Sequence, residues 1–276
     1  MAKSVNIFMM NLNKKLNMVL IIGSAPDAVQ AAAWDKTNFA HIVAINNAWR
    51  IRGDWDFCIY PEDFPDDNKP QALSEQQSIV TAVDYVEVQN SYGGFVYAGA
   101  TMAFTSAYWA LGALKPDVIG FIGCDMIYAK NGEDTHFYGT GQADPLRQDV
   151  TLQSLEAKSN RLFYKAHEQG CLCLNFSQLD KTRLTFPKVS YEKSLTEKIM
   201  DMNKLELEQY FNDYKNKLND EIVQQAQKSE SDLGYYFSSG RYWEHLDEIC
   251  SSKLYELDKL WATCFSNQDL HHLILK

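Results

Sequence analysis

The segment from Gly123 to Gly139 collects titratable and hydroxyl side chains directly behind an apolar run. His136 titrates near neutral pH and can take a proton from an incoming hydroxyl, while Tyr128 or Tyr138 can donate a hydrogen bond to a departing phosphate. Asp125 can accept a hydrogen bond from a ribose hydroxyl, hold a divalent cation or cap a loop. The combination predicts group transfer from a phosphate-linked donor, although a lone histidine is often structural.

Two further polar segments stand at the ends of apolar runs. Gly23, Ser24 and Pro26 form a turn before a helical pattern, where unpaired backbone N–H groups would favour a phosphate or a sugar hydroxyl. Asn46 and Asn47 end the next run, and their amides can pair with a base edge or a ribose. A plain tight turn and a strand terminator would use the same residues, so neither segment alone decides the function.

Other polar residues are weaker candidates. Arg147 can reach a substrate carboxylate or cap a turn. The acidic residues between Glu62 and Asp67 are predicted to form a solvated surface rather than a metal site, because closely spaced acids need a rigid scaffold to converge on one ion. We therefore predict no metal-binding residues.

Apolar runs that alternate with helical patterns must position these side chains. The predicted strands are 18–22, 41–45, 56–60, 117–122 and 171–176, with two more within 78–88. The predicted helices are 26–34, 100–114 and 151–169. Strands that are apolar throughout indicate a mostly parallel sheet with helices on both faces, an α/β, Rossmann-like fold.

The parallel sheet predicts where the chemistry lies. Ligands of such sheets bind beyond the carboxyl ends of the strands, where several loops converge. This rule gathers segments 23–26, 46–47, 98–101 and 123–139 around one crevice. We therefore expect residues far apart in the chain to line a single pocket.

The composition changes near residue 190. Residues 191–276 carry many Glu, Lys, Gln and Asn, with apolar residues at helical intervals and little strand propensity. The sequence therefore predicts a catalytic domain over residues 1–190 and a helical appendage over 191–276. The appendage is a candidate lid or a contact between copies in a homo-oligomer.

Bulk composition excludes several classes of function. The formal net charge of −10, without a basic cluster, argues against nucleic acid as the main ligand. The six cysteines are scattered and suit neither a zinc knuckle nor a redox pair, so we expect them to be reduced and buried. No apolar stretch is long enough for a signal-peptide core or a membrane span, and a cytoplasmic location is the default expectation.

The order of these residues resembles a known family. Gly23 and Pro26 follow the first strand, Asn46 follows the second, Gly99 opens a long helix and Asp125 ends a strand shortly before Tyr128. This order resembles the bacterial sialyltransferases of glycosyltransferase family 42. The segment 123–136 looks even more like the motility accessory factor glycosyltransferases and the MptE-like pterin pyrophosphokinases (the DUF115 group), and the likeness covers roughly residues 18–176.

The sialyltransferase resemblance implies transfer of a nonulosonic acid, a sialic-acid-like sugar, from its CMP conjugate to an acceptor hydroxyl, without an obligatory metal. The partners it implies are a nucleotide sugar and a glycan or protein acceptor. The residues that carry over as nucleotide contacts are Gly23, Ser24, Pro26, Asn46, Gly99 and Asp125. Tyr128 and Tyr138 carry over as groups that assist phosphate departure.

The chain departs from the family pattern at two places. The first turn reads Gly-Ser-Ala-Pro-Asp where the family usually has Gly-Asn-Gly-Pro-Ser, which adds a methyl group where the backbone would approach the ligand. The family's catalytic histidine falls beyond a His-Tyr pair, at a place where this chain has Gly139 or Thr140. The role of His136 as base is thus inferred from its chemistry and not from the resemblance.

Two other functions stay open on the sequence. A pyrophosphokinase resembling the pterin enzymes would use Asp125, with an acid from the 62–67 loop, to hold Mg²⁺ for ATP. A non-catalytic nucleotide or glycan binder would fit the altered glycine turn. Nucleotide binding without product would distinguish the binder from both enzymes.

Overall fold

Six apolar runs form one parallel sheet in the computed structural model, which describes residues 16–127, 135–139, 149–189, 191, 206, 209, 212–213 and 216–265. The strands are β1 (Met18–Ile22), β2 (His41–Ile45), β3 (Phe57–Ile59), β4 (Ser78–Val80), β5 (Val118–Ile122) and β6 (Leu172–Asn175). Their order in the sheet is β4-β3-β2-β1-β5-β6, and every pairing is parallel. The predicted α/β, Rossmann-like class is confirmed.

Helices alternate with the strands, and further helices follow β6 within the described residues. The α-helices are α1 (Ala82–Asn90), α2 (Phe95–Ala98), α3 (Met102–Trp109), α4 (Leu155–Glu168), α5 (Asp220–Leu233) and α6 (Ser251–Thr263). A π-helical turn over Ala110–Leu114 prolongs α3. Short 3-10 helices occupy Pro26–Ala33, Lys36–Asn38, Asn46–Arg50, Asp66–Asn68, Val150–Leu152 and Tyr242–Glu248.

The central strands are buried on both faces, as their composition predicts. All five residues of β1 and all five of β5 are inaccessible to solvent. A methyl group at Gly120 in β5 would lie 2.1 Å from the ring of Phe176, so there is no room for a side chain at this position. Packing of this density fixes the positions of the strand ends and of the loops that follow them.

One sequence expectation for the sheet is wrong. Of the two strands expected within 78–88, only β4 forms, and the second becomes helix α1. The Asp84 carboxylate accepts a hydrogen bond of 2.8 Å from the Thr81 backbone N–H, which satisfies a donor at the helix start. This local cap favours a helix over the β propensity of Val83 and Tyr85.

The C-terminal helices pack against α4 through buried ion pairs. Arg161 on α4 donates to both carboxylate oxygens of Glu230 on α5, at 2.6 and 2.8 Å. Lys158 donates to Asp258 on α6 at 2.8 Å, with both side chains buried. These contacts join residues 220–263 to the sheet-bearing part, while the expected boundary near residue 190 adjoins residues outside those described.

Two expectations from bulk composition can be compared with the described residues. None of the helices there combines the length and the apolar character that crossing a bilayer requires. All six cysteines are free thiols, but only five are buried. Cys250 is exposed immediately before α6, so the expectation of burial is wrong for that residue.

Candidate functional site

A cleft lies at the point in the sheet where the order of the strands reverses. β1 continues to β2 on one side and lies against β5 on the other, which makes the β1–β5 boundary the topological switch point. A cavity of about 560 Å³ opens there. Segments after β1, β2, β3 and β5, the start of α3 and residues 135, 136 and 138 all line it. The structure thus brings described segments that are far apart in the chain, from residue 23 to residue 138, to one cavity.

The floor of the cleft is a close contact between two glycine turns. A methyl group at Gly23 would lie 2.2 Å from the carbonyl oxygen of Gly123. The N–H groups of Gly23 and Ala25 donate to the carbonyls of Ile122 and Gly123, at 2.8 and 3.0 Å. The sequence predicted unpaired N–H groups here, and that is wrong for these two, because the β5 turn accepts both. The turn therefore shapes the floor, with Ser24 left to face the cavity.

Asn46 and Asn47 carry unsatisfied amide oxygens at the end of β2. Both line the cavity, and the amide oxygen of each is buried without a hydrogen-bond partner among the described residues. Asn46 also has a φ of 51°, in the left-handed region that few residues other than glycine adopt. An unsatisfied buried acceptor costs about 1–3 kcal/mol unless a donor reaches it. Hydroxyl or amine groups of a nucleoside are donors of the required kind.

The start of α3 is the electropositive element of the cleft. The Thr101 hydroxyl accepts from the Phe104 N–H at 3.3 Å and caps the helix, and Met102 and Ala103 line the cavity beside it. Unpaired N–H groups and the helix dipole favour an anion at such an end. Among the described residues that line the cavity there is no Lys or Arg.

His136 lies at the rim and is held in place by its neighbours. It is 8% exposed, and the Thr135 hydroxyl lies 2.8 Å from its Nδ1. The adjacent Phe137 N–H donates to the Ser24 carbonyl at 3.0 Å, which ties the loop to the first turn. Burial lowers the pKa of the His136 imidazole, so the ring is neutral at pH 7 and able to accept a proton.

Tyr138 accompanies His136 in the cleft, whereas two predicted residues cannot be placed. The rings of Tyr138 and His136 stack at 4.9 Å, and Tyr138 is partly exposed along the cavity wall. Tyr128 and Arg147 lie outside the described residues. Their proposed roles stay predictions.

Asp125 does not line the cavity, contrary to the expectation that it points into the crevice. It is fully buried, and burial together with the Asp27 carboxylate raises the pKa of its carboxyl group. Thr182 and Ser177 lie near enough to favour its ionised form, but neither completes a hydrogen bond of standard geometry with it. Asp125 follows Gly123, which has a φ of 69°, by two residues, and its side chain is buried in the protein interior.

Pro26 and Gly99 do not line the cavity either, although both were predicted to contact the nucleotide. Pro26 is exposed at the start of a 3-10 helix. Gly99 has a φ of 84°, and a methyl group there would lie 3.1 Å from side-chain carbons of Lys158 and Phe104. Its glycine therefore serves the tight turn before α3 rather than a ligand.

Sequence reasoning placed the loop after β3 at the site only under the pyrophosphokinase alternative. Asp63, Phe64 and Asn68 line the cavity, and the acidic residues Glu62, Asp63, Asp66 and Asp67 are exposed to solvent, as predicted. The available signal was position, since the loop follows β3 at the same carboxyl edge as the other segments. Within the described residues, no three His, Cys, Asp or Glu side chains converge as metal ligands would.

Comparisons with protein-family models, with curated proteins and with solved structures gave no match to this chain.

Proposed function

We propose that the chain is a glycosyltransferase that moves a nonulosonic acid from a CMP-linked donor to an acceptor hydroxyl. The observation that supports it best is the meeting of two kinds of group in one cleft. The unsatisfied amide oxygens of Asn46 and Asn47 and the neutral imidazole of His136 belong to residues that line the same cavity. The choice of CMP and of the sugar class comes from the resemblance described above.

The proposed nucleotide position follows from the lining. Asn46 and Asn47 would accept hydrogen bonds from the hydroxyl and amino groups of cytidine, which satisfies their buried oxygens. The phosphate would sit at the start of α3, where the helix dipole offsets its charge. The volume of about 560 Å³ is within the range of pockets that hold ligands of this size.

The reaction requires one proton acceptor and one stabilised leaving group. The bond between the sugar's anomeric carbon and the phosphate oxygen breaks, and its electron pair leaves with CMP. The acceptor oxygen forms the new bond to that carbon, and its proton passes to the imidazole of His136. The hydroxyl of Tyr138 would donate to the departing phosphate as its charge grows.

A Mg²⁺-dependent pyrophosphokinase is the second candidate. Asp63 lines the same cleft, and carboxylates are the usual protein ligands of Mg²⁺. Such an enzyme would bind ATP through a metal clamp that transfer from a CMP-sugar does not need.

A panel of nucleotides separates the candidates. We expect CMP to raise the melting temperature in the presence of EDTA. At a CMP concentration one hundred times its dissociation constant, the free energy of unfolding should increase by about 2.7 kcal/mol. CDP, UDP, GDP and ATP, each with and without Mg²⁺, are the comparison ligands in the same thermal-shift assay. Stabilisation by ATP alone, and only with Mg²⁺, would replace the transferase by the kinase. CMP binding without product from any donor would leave a non-catalytic binder.

A further inference from the structure

A second cavity, of about 400 Å³, adjoins the cleft. Five residues line both spaces: Pro61, Asp63, Ala100, Met102 and Leu152. Its far wall comes from residues 239–243, in the C-terminal part of the chain. A molecule in this cavity would therefore lie directly beside one in the cleft, which is the relation that two substrates of a transfer reaction need.

Aromatic rings dominate the second cavity. Phe95 and Tyr242 stack with their centroids 6.5 Å apart, and Trp243 meets Tyr242 edge-on at 5.5 Å. Trp243 is 55% exposed, an unusual state for so large an apolar side chain, and it forms part of the cavity lining. Flat rings of this kind offer an apolar face with a polar rim, and they suit ligands that are themselves apolar on one face.

The charges of the cavity disfavour an anionic ligand. Its carboxylates are Glu62, Asp63 and Asp149, and its one cationic side chain among the described residues is Arg241. Arg241 lies 3.9 Å from Glu62 and 3.5 Å from Glu244, so its charge is already offset. A ligand with a phosphate, sulfate or carboxylate group would meet net negative charge, whereas hydroxyl groups would find acceptors.

The wall formed by residues 239–243 is fixed to the sheet-bearing part of the chain. The Tyr242 hydroxyl donates to the Asp149 carboxylate, and the Asn90 amide donates to the Ser238 carbonyl at 2.7 Å. Gly240 has a φ of 76°, and a methyl group there would lie 3.0 Å from the Phe95 ring. The cavity is therefore preformed, and a ligand entering it has little ordering to do.

We infer that the second cavity is the acceptor subsite and that it takes a neutral hexose, with the sugar's C–H face on Trp243 and its hydroxyls toward Asp63. This inference rests on the proposed transferase function for its role in the reaction. The hydroxyl that reacts would be the one directed through the shared wall at Ala100 toward the cleft. That hydroxyl loses its proton to His136 as its oxygen bonds to the donor sugar.

The test measures sugar binding separately from nucleotide binding. Methyl β-glucoside and methyl β-galactoside are the neutral probes, and glucose 6-phosphate is the charged one, each titrated by NMR into the full chain without donor. We expect saturable binding of at least one neutral probe and weaker binding of glucose 6-phosphate. Trp243→Ala should weaken the neutral probe about tenfold, since both the ring contact and the apolar area that the indole covers are lost.

The control is Tyr255→Ala, which removes an equally exposed ring on α6 outside the cavity lining. It should leave sugar binding unchanged, and both variants should keep the wild-type affinity for CMP. Absence of neutral-sugar binding, equal effects of the two variants, or tighter binding of glucose 6-phosphate would overturn the inference. Sugar binding lost in Trp243→Ala together with no CMP affinity in the wild type would instead reject the proposed function and retain a sugar site.

Discussion

Replacement of His136 by Asn should lower kcat by about 10²–10⁴-fold, the range expected for loss of a general base. The asparagine amide keeps a polar atom near the Thr135 hydroxyl, which now lies 2.8 Å from Nδ1, but it cannot take up a proton. The affinity for CMP should stay at the wild-type value, because the proposed nucleotide contacts are made by Asn46 and Asn47 and not by His136. Steady-state kinetics with a CMP-linked donor measure the first effect and calorimetry the second.

We also expect His136→Asn to change the dependence of kcat/KM on pH. Burial lowers the pKa of His136, so the base stays neutral below the ordinary histidine value of about 6.5 and is lost only on further acidification. Wild-type kcat/KM should therefore hold to below pH 6.5 and then fall, and the residual activity of His136→Asn should lack this acidic limb. Full activity of His136→Asn with a working donor would remove the proposed base.

His41→Asn is the matched control for this experiment. His41 begins β2 and so lies at the amino edge of the sheet, opposite the cleft. Its ring meets Phe57 edge-on at 5.5 Å, which makes a small loss of stability the expected consequence. The pH profile and kcat of this variant should match those of the wild type.

Replacement of Glu230 by Gln should destabilise the fold by about 3–5 kcal/mol, because it leaves a buried guanidinium without its counter-ion. Arg161 is 1% exposed and donates to both Glu230 oxygens, while the Trp261 indole donates to one of them at 2.7 Å. With about 2–4 °C lost per kcal/mol in chains of this size, the melting temperature should fall by on the order of 10 °C. Thermal and urea unfolding both measure the change.

The control lies on the same helix. Lys228 and Asp232 form an exposed pair one turn apart on α5, and Asp232→Asn should cost less than about 1 kcal/mol. A double variant, Arg161→Met with Glu230→Gln, should recover part of the loss, since no buried charge is left unpaired. Equal small losses for Glu230→Gln and Asp232→Asn would show that the buried pair does not hold α5 on α4.

Low pH should reduce the stability that the Arg161–Glu230 ion pair contributes between α4 and α5. Burial raises the pKa of Glu230, but the Arg161 guanidinium outweighs it and holds that pKa below its ordinary value. Stabilisation is therefore present above the unfolded-state pKa of about 4.3 and is lost as the pH falls through the lower folded value. Glu230→Gln lacks this titration, so the stability difference between it and the wild type should shrink on acidification.

The sheet could be predicted from the sequence because its signal is local. Runs such as Met18–Ile22 and Val118–Ile122 are apolar on both faces, and turn residues bound them. The rule that ligands sit at the carboxyl ends of parallel strands then gathers Ser24, Asn46 and His136 at one cleft without any knowledge of contacts. The site can be predicted because each of these loops directly follows a predicted strand in the chain.

The residues whose positions were predicted wrongly depend on backbone geometry that cannot be read from the sequence. Asp125 is fully buried two residues after the positive-φ Gly123, and the turn after β5 accepts hydrogen bonds from the N–H groups of Gly23 and Ala25. Asp63 lies in a loop and Trp243 in a short 3-10 helix, and neither segment carries a motif of its own. Their place follows from long-range packing, such as the bond from Tyr242 to Asp149, which no local pattern encodes.

A calorimetric titration of CMP in EDTA, with the wild type and with Asn47→Ala, tests the cleft most directly. The Asn47 amide oxygen is buried in the cavity wall and lacks a partner among the described residues. If it receives a hydrogen bond from the nucleotide, the wild type should bind CMP without metal and Asn47→Ala should bind it about tenfold more weakly, the effect of one such bond. No CMP binding by the wild type, or equal affinity in the two proteins, would contradict a nucleotide site at this cleft.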